Sequence, residues 1–211
     1  MSEPLFFIAL FLGIVPFIQL LLQKNDYSQT LFIKPFVWLV FLSSIYEFTA
    51  FNFNWNSAYW FRFYTLFDFL FIFYFYYNTL EKRYAKYFTL SITSFLVLYT
   101  YLLFIWDVDQ STKTEFYLTT FESFFVVISS VLWFITIFVE MKEDSLLNTP
   151  NYYFIAGFVA YFTGTFFLYM LSDFMMKFMI SEILTYWNLI IIFNIILRTL
   201  LITGIWKAQK K

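Results

Sequence analysis

The sequence predicts an all-α, polytopic membrane protein, a bundle of seven transmembrane helices, and three observations predict it. First, 62% of the 211 residues are hydrophobic and only 13% are charged, against about 25% charged residues in a typical soluble chain. Second, seven apolar stretches have roughly the 20 residues that a helix needs to cross the hydrocarbon layer. Third, the two-residue alternation of outer-membrane β-strands is absent, because runs such as NLIIIF are apolar at every position.

The seven predicted spans follow one another along the whole chain, and polar links separate them. The links are, in order, QKNDYSQT, NFNWN, LEKRYAK, DVDQSTKTE, EMKEDSLLNT and SDFMMKFMISE. The first span lacks a positively charged leader, so it is interpreted as a retained helix and not as a cleaved signal peptide. No link is long enough to fold into a soluble domain, so residues 1–211 are predicted to form a single transmembrane domain. The spans are predicted at about 4–22, 31–51, 57–79, 84–106, 116–139, 150–171 and 183–206.

The distribution of Lys and Arg predicts the orientation, because short cytoplasmic loops carry an excess of both. If the first link is cytoplasmic, the other side of the membrane holds only Lys113 and Lys177. The cytoplasmic side then collects Lys24, Lys34, Lys82, Arg83, Lys86, Lys142, Lys207, Lys210 and Lys211. We therefore expect the N-terminus outside and the C-terminus in the cytoplasm, which an odd number of spans requires.

Charge and residue usage exclude several classes of function. The net charge of −1 offers no basic excess for phosphate contacts, so no nucleic-acid partner is expected. The chain has no Cys and no His, which removes thiolate chemistry, the commonest metal ligand and the usual general base. No metal and no cofactor are predicted, and the lipid bilayer is the one certain partner of such a chain.

Ionisable residues inside the predicted spans are the default functional candidates, because each costs on the order of 2.5–3.5 kcal/mol to insert. At about 1.5 Å per helical residue, four polar residues from four spans share an outer layer roughly 6 to 9 Å deep. Two more, an acid and an amide, share a depth of about 16 Å, and an arginine lies below them. The outer layer holds Glu47, Arg62, Glu122 and Asn188, and the deeper residues are Asp68, Asn194 and Arg198.

Three- and four-residue spacing places the polar residues of each span on one helix face. Ser43, Ser44 and Glu47 show this spacing in the second span, and Asn194 and Arg198 show it in the seventh. We therefore expect spans two, three, five and seven to converge on a polar pocket in the outward half of the bundle. Three carboxylates face two guanidinium groups there, so one acid is left to hold a proton or recruit a cation. A purely structural polar clasp that fixes helix register is the alternative interpretation.

The sixth span carries small residues at four-residue intervals, which lets another helix approach closely. The residues of this helix-packing face are Ala156, Ala160 and Gly164. Packing within the molecule and self-association are both consistent with it. The first, fourth and sixth spans have no ionisable residue in their interiors, which predicts lipid-facing or packing roles for them.

Two segments carry a resemblance to a known group of proteins. The segment FNWNSAYWFRFYTLFDFLFIFYFYYNTL, with Tyr64-Thr65 and Asp68-Phe69, and the ending WNLIIIFNIILRTLLITGIWK resemble small, uncharacterised, multipass proteins common in Bacteroidetes. Those proteins often have Glu at the position of Asp68. The resemblance implies a standalone module of a bacterial inner (cytoplasmic) membrane and brings no established activity.

Three functions are compatible with these features. The first is a non-enzymatic, receptor-like sensory module, whose outward pocket binds a small solute or lipid headgroup and whose helices signal to a protein partner at the cytoplasmic face. The second is a proton- or cation-coupled transporter or channel that uses Asp68, although no internal repeat is apparent. The third is a lipid-modifying enzyme with Glu47 and Glu122 as acid and base.

Overall fold

The computed structural model describes residues 3–22, 28–80, 83–106, 111–140, 145–178 and 183–209. Across those ranges all regular structure is helical and no strand occurs. The helices are α1 (Glu3–Leu21), α2 (Ser28–Leu31), α3 (Lys34–Phe53), α4 (Ala58–Thr79), α5 (Ala85–Phe104), α6 (Ser111–Glu140), α7 (Pro150–Phe178) and α8 (Ile183–Gln209), and a 3-10 turn covers Leu146–Asn148.

The all-α, multipass prediction is confirmed at this level. Each predicted span corresponds to one of the long helices, and within the described residues six of these are long and apolar enough to cross a membrane. The seventh, α4, falls short of that hydropathy because it carries Arg62, Asp68 and several tyrosines. A membrane-crossing α4 and an outside N-terminus stay predictions.

Six helices pack side by side into a closed ring. Helix α1 lies between α3 and α8, α7 lies between α8 and α6, and α4 closes the ring between α6 and α3. Helix α5 stands outside this ring and packs on α4 and α6. Because consecutive long helices run in opposite directions, the start of α1 lies at the same end of the ring as the ends of α3 and α7 and the starts of α4, α6 and α8. We call this the N-terminal end of the bundle.

The other half of the ring is filled by an aromatic core. Where α5 packs on the outside of the ring, Phe69 of α4 stacks on Phe95 of α5, with ring centroids 3.7 Å apart. Further along α4, Phe75 packs edge to face against Phe158 of α7 at 5.5 Å. Tyr76 is also fully buried and shares a hydrogen bond with Ser130 of α6 at 2.7 Å. Large apolar side chains such as Phe104 and Leu90 point outward, as a bilayer environment requires.

The small residues of α7 meet α8 of the same chain. A Cβ atom added at Gly164 would overlap the ring of Phe193, and one added at Gly157 would lie 3.1 Å from the Cδ1 atom of Leu197. Ala156 and Ala160 are half-buried. The close approach at Gly164 therefore serves the α7–α8 contact within the molecule.

We expect Gly164→Ala to lower the free energy of unfolding by about 1–3 kcal/mol, because the rigid Phe193 ring must move to admit a methyl group. Gly157→Ala is the matched control on the same helix. It gives the same gain in helix propensity, but its nearest neighbour is the flexible tip of Leu197. Reversible unfolding of both variants in detergent checks this, and equal stabilities would contradict it.

Candidate functional site

The connection between α3 and α4 covers part of the N-terminal end of the bundle. Helix α3 stops at Asn54, which adopts left-handed backbone angles (φ 52°, ψ 42°), a conformation that Asn tolerates better than most residues. The N–H group of Trp55 donates to the carbonyl oxygen of Ala50 at 3.1 Å. After this tight turn only residues 55–57 precede α4, which begins at Ala58.

Beneath this connection lies a cavity of about 750 Å³. All six ring helices contribute to its wall, and none of its lining residues lies on α5. Its polar lining comprises Ser43, Glu47, Asn54, Asn56, Ser57, Tyr64, Thr65, Asp68, Glu115, Thr119, Glu122, Tyr161, Tyr169, Asn194 and Arg198. Its size falls within the range of small-molecule sites.

The cavity brings together five of the seven residues that the sequence singles out. They are Glu47, Asp68, Glu122, Asn194 and Arg198, from α3, α4, α6 and α8. Asn188 is half-buried on α8 and is not among the lining residues. Arg62 is also outside the lining, since it is buried behind the wall against α5 and α6.

Arg62 belongs to a polar cluster that joins three helices. Its Nη1 atom lies 3.3 Å from Oε1 of Glu115, and its guanidinium carbon lies 5.1 Å from the centre of the Tyr99 ring. Thr65 donates to the other oxygen of Glu115 at 2.9 Å, and Tyr99 donates to the backbone carbonyl of Arg62 at 3.1 Å. This cluster holds α4 against α6 and α5, which is the structural role that the sequence left open.

Two carboxylates inside the cavity lack such a cluster. Asp68 is 4% exposed and Glu122 is 3% exposed. Within the described residues, Oδ1 of Asp68 and Oε1 of Glu122 have no hydrogen-bond partner. Tyr64, one turn before Asp68, places its hydroxyl group beside that carboxylate. Glu122 comes close enough to Asp68 for the two acids to interact electrostatically.

Arg198 is held between α8 and α1. It is buried, and its Nη1 atom donates to the carbonyl oxygen of Ala9. Gly13 makes room for it, because a Cβ atom there would lie 3.0 Å from the same nitrogen and would collide with the Ser44 hydroxyl group. Among the described residues no carboxylate forms an ion pair with Arg198. Arg198 therefore forms no direct ion pair with Asp68.

Glu47 has a local partner on its own helix. The hydroxyl group of Ser43 donates to Oε1 of Glu47 at 2.9 Å, the four-residue contact that their spacing favours. Both side chains line the cavity. In the described part of the chain, no three Asp or Glu side chains stand close enough together to hold a metal ion.

Several lining residues were missed by the sequence argument. Glu115 lies before the predicted fifth span, but α6 begins at Ser111, so this acid is part of the helix and of the wall. Tyr161 and Tyr169 come from the sixth span, and Phe6 and Ala9 come from the first. The prediction that these two spans only pack or face lipid is wrong, because tyrosine and phenylalanine can line a cavity without an ionised group.

Comparison with known proteins gives no relative. No protein-family model matches the chain, and neither does a curated protein or a solved structure.

We expect Arg62→Leu to destabilise the protein by about 2–3 kcal/mol, because it leaves the mostly buried Glu115 carboxylate without its cation. The double variant Arg62→Leu/Glu115→Leu should recover much of the loss. Arg83→Leu is the control: its contact with Glu140 is 3.2 Å long but half exposed, so its loss should cost less than about 1 kcal/mol. The free energy of unfolding in detergent is measured for all three variants. A loss for Arg62→Leu no larger than that for Arg83→Leu would contradict a stabilising role of the cluster.

Proposed function

We propose that this chain is a non-enzymatic, receptor-like membrane module that binds a small molecule in the cavity and passes the signal to a partner protein. The observation that carries the proposal is the cavity wall, to which all six ring helices contribute. An occupant that fills that space contacts every helix of the ring at once. Its binding energy can therefore favour one packing of the ring over another.

The shape of the interior supports reception over passage. The cavity lies at the N-terminal end of the bundle, whereas Phe75, Tyr76 and Phe158 fill the other half without exposed surface. A ligand that enters from the N-terminal end meets a closed aromatic floor. The positions of Lys and Arg favour the N-terminal end as the outer one, and the ligand would then come from outside the cell.

At the opposite end of the bundle, contacts between neighbouring helices would shift with a change in helix packing, and a partner protein could sense that shift. Gln209 of α8 donates to the carbonyl oxygen of Gln19 in α1 at 3.2 Å. Arg83, just before α5, pairs with Glu140 at the end of α6. These contacts link neighbouring helices at the proposed cytoplasmic face, where the partner protein would dock.

A coupled transporter is the second candidate, and one observation favours it. Asp68 and Glu122 are buried, and each has one carboxylate oxygen without a hydrogen-bond partner among the described residues. Such carboxylates are suited to take up and release a proton or a cation. That function requires a second state in which the aromatic floor opens, so that the cavity is reached from the other face of the membrane. The receptor requires a cavity that is reached from one membrane face only, whereas the transporter requires a cavity that is reached from both.

Cysteine labelling tests this access directly, because the chain has no cysteine of its own. Ala50 is 7% exposed and lines the cavity. We expect Ala50→Cys to react with a membrane-impermeant methanethiosulfonate carrying a trimethylammonium group in right-side-out vesicles but not in inverted ones. Lys86→Cys, exposed at the opposite end of the bundle, is the control and should react only in inverted vesicles.

The labelled Ala50→Cys protein also tests signalling, because the reagent leaves a bulky group tethered in the cavity. We expect hydrogen–deuterium exchange to change at 83–88 and 203–209, at the far end of the bundle. Reaction of the cysteine from both membrane faces would favour the transporter function over the receptor function. Reaction from neither face, from the cytoplasmic face only, or without any change in exchange would contradict the receptor.

A further inference from the structure

We propose that the ligand of this cavity is a monovalent organic cation, an ammonium group attached to an apolar or aromatic body. The inference rests on the proposed binding function and adds the chemical class of the ligand. It follows from the charges that face the cavity, from two buried oxygen atoms without a partner, and from the aromatic surface around them.

The charges of the site do not balance. Four carboxylates line the cavity, on α3, α4 and α6, and they are Glu47, Asp68, Glu115 and Glu122. Glu115 is paired with Arg62 behind the wall, and Arg198, which also lines the cavity, supplies one further positive charge, so two carboxylates have no compensating cation among the described residues. If the carboxylates are ionised, the cavity has an excess of negative charge that a cation would compensate.

The hydrogen-bonding capacity of the site also calls for donors. Oδ1 of Asp68 and Oε1 of Glu122 are buried acceptors without a partner among the described residues. They belong to α4 and α6, neighbours in the ring, and their carboxylates interact electrostatically. An alkylammonium group carries three N–H donors. Placed near the two acids, it would offer donors to their oxygens and reduce their mutual repulsion.

The size and the aromatic lining select an organic cation. A cavity of about 750 Å³ is far larger than one dehydrated inorganic ion needs, and it matches a small organic ligand. Tyr64, Tyr161 and Tyr169 stand around the acids, and Trp55 and Phe61 line the same space. Aromatic faces attract organic cations and bury their apolar part.

The test is isothermal titration calorimetry of the protein in phosphatidylcholine nanodiscs with three probes of similar size. These are the cation phenethylammonium, the neutral 2-phenylethanol and the anion 3-phenylpropionate. Empty nanodiscs correct for partition into lipid. We expect the cation to bind at least about tenfold more tightly than either of the other probes, since hydrogen bonds to charged groups are the stronger ones.

Two variants locate the binding site and a third serves as a control. Asp68→Asn and Glu122→Gln should each weaken phenethylammonium binding by at least about tenfold. Glu140→Gln removes the same charge at the opposite end of the bundle and should leave binding unchanged. Circular dichroism confirms that each variant is folded, and the second cavity variant decides the matter if the first does not fold.

The outcomes separate the ligand class from the proposed function. Equal binding of the alcohol, tighter binding of the anion, or binding that the two cavity variants do not weaken would each overturn the organic cation. So would binding of NaCl or CaCl₂, weakened by the same variants, in the absence of phenethylammonium binding. If in any of these cases Ala50→Cys is reached only from outside and its labelling changes exchange at the far end of the bundle, the receptor stands with another ligand. If Ala50→Cys is not reached, the receptor itself fails.

Discussion

The cost of placing ionisable side chains in hydrocarbon governs this structure. Each such group costs on the order of 2.5–3.5 kcal/mol at the centre of a membrane helix. Asp68, Glu122 and Arg198, each no more than 4% exposed, are turned away from the surface that large apolar side chains cover. Because all three line the same cavity, turning them inward gathers them in one place. The polar cavity is the consequence.

Close packing in the other half of the ring keeps that cavity at one end. Phe75, Tyr76 and Phe158 leave no exposed surface, and Gly204 of α8 leaves room for the ring of Phe154 of α7. Helix α5 completes the packing from outside, since Tyr99 reaches the backbone of Arg62. The bundle therefore combines a rigid aromatic half with a half whose side chains surround open space, an arrangement that suits binding from one side.

Hydropathy and polar spacing predicted much of this arrangement. Runs of about 20 apolar residues located every long helix, because span length is set by membrane thickness. Equal depth on four spans pointed to a polar layer, and of its four residues the structure places Glu47 and Glu122 in the cavity wall, with the deeper Asp68 beside them. Arg62 and Asn188 lie outside the lining. These arguments work because charge and hydropathy are properties of single residues and short segments, which the sequence gives without knowledge of distant contacts.

What the sequence left open depends on contacts between distant helices. Helix α6 begins five residues before its predicted span, so Glu115, the partner of Arg62, lay outside the candidates. The order of the helices in the ring follows from side-chain fit, which hydropathy does not encode. Tyr161 and Tyr169 are unremarkable in an aromatic-rich span, and only the packing of α7 brings them to the acids.

Hydroxyl-radical footprinting in nanodiscs tests the central claim most directly, because radicals generated from water modify aromatic side chains that lie next to water. Tyr64 and Tyr76 stand on the same helix, one in the cavity wall and the other in the aromatic core. The account predicts oxidation of Tyr64, together with Tyr161, and protection of Tyr76. Equal protection of Tyr64 and Tyr76 would mean that the polar residues surround no water-filled space, and equal oxidation would mean that the core is not closed.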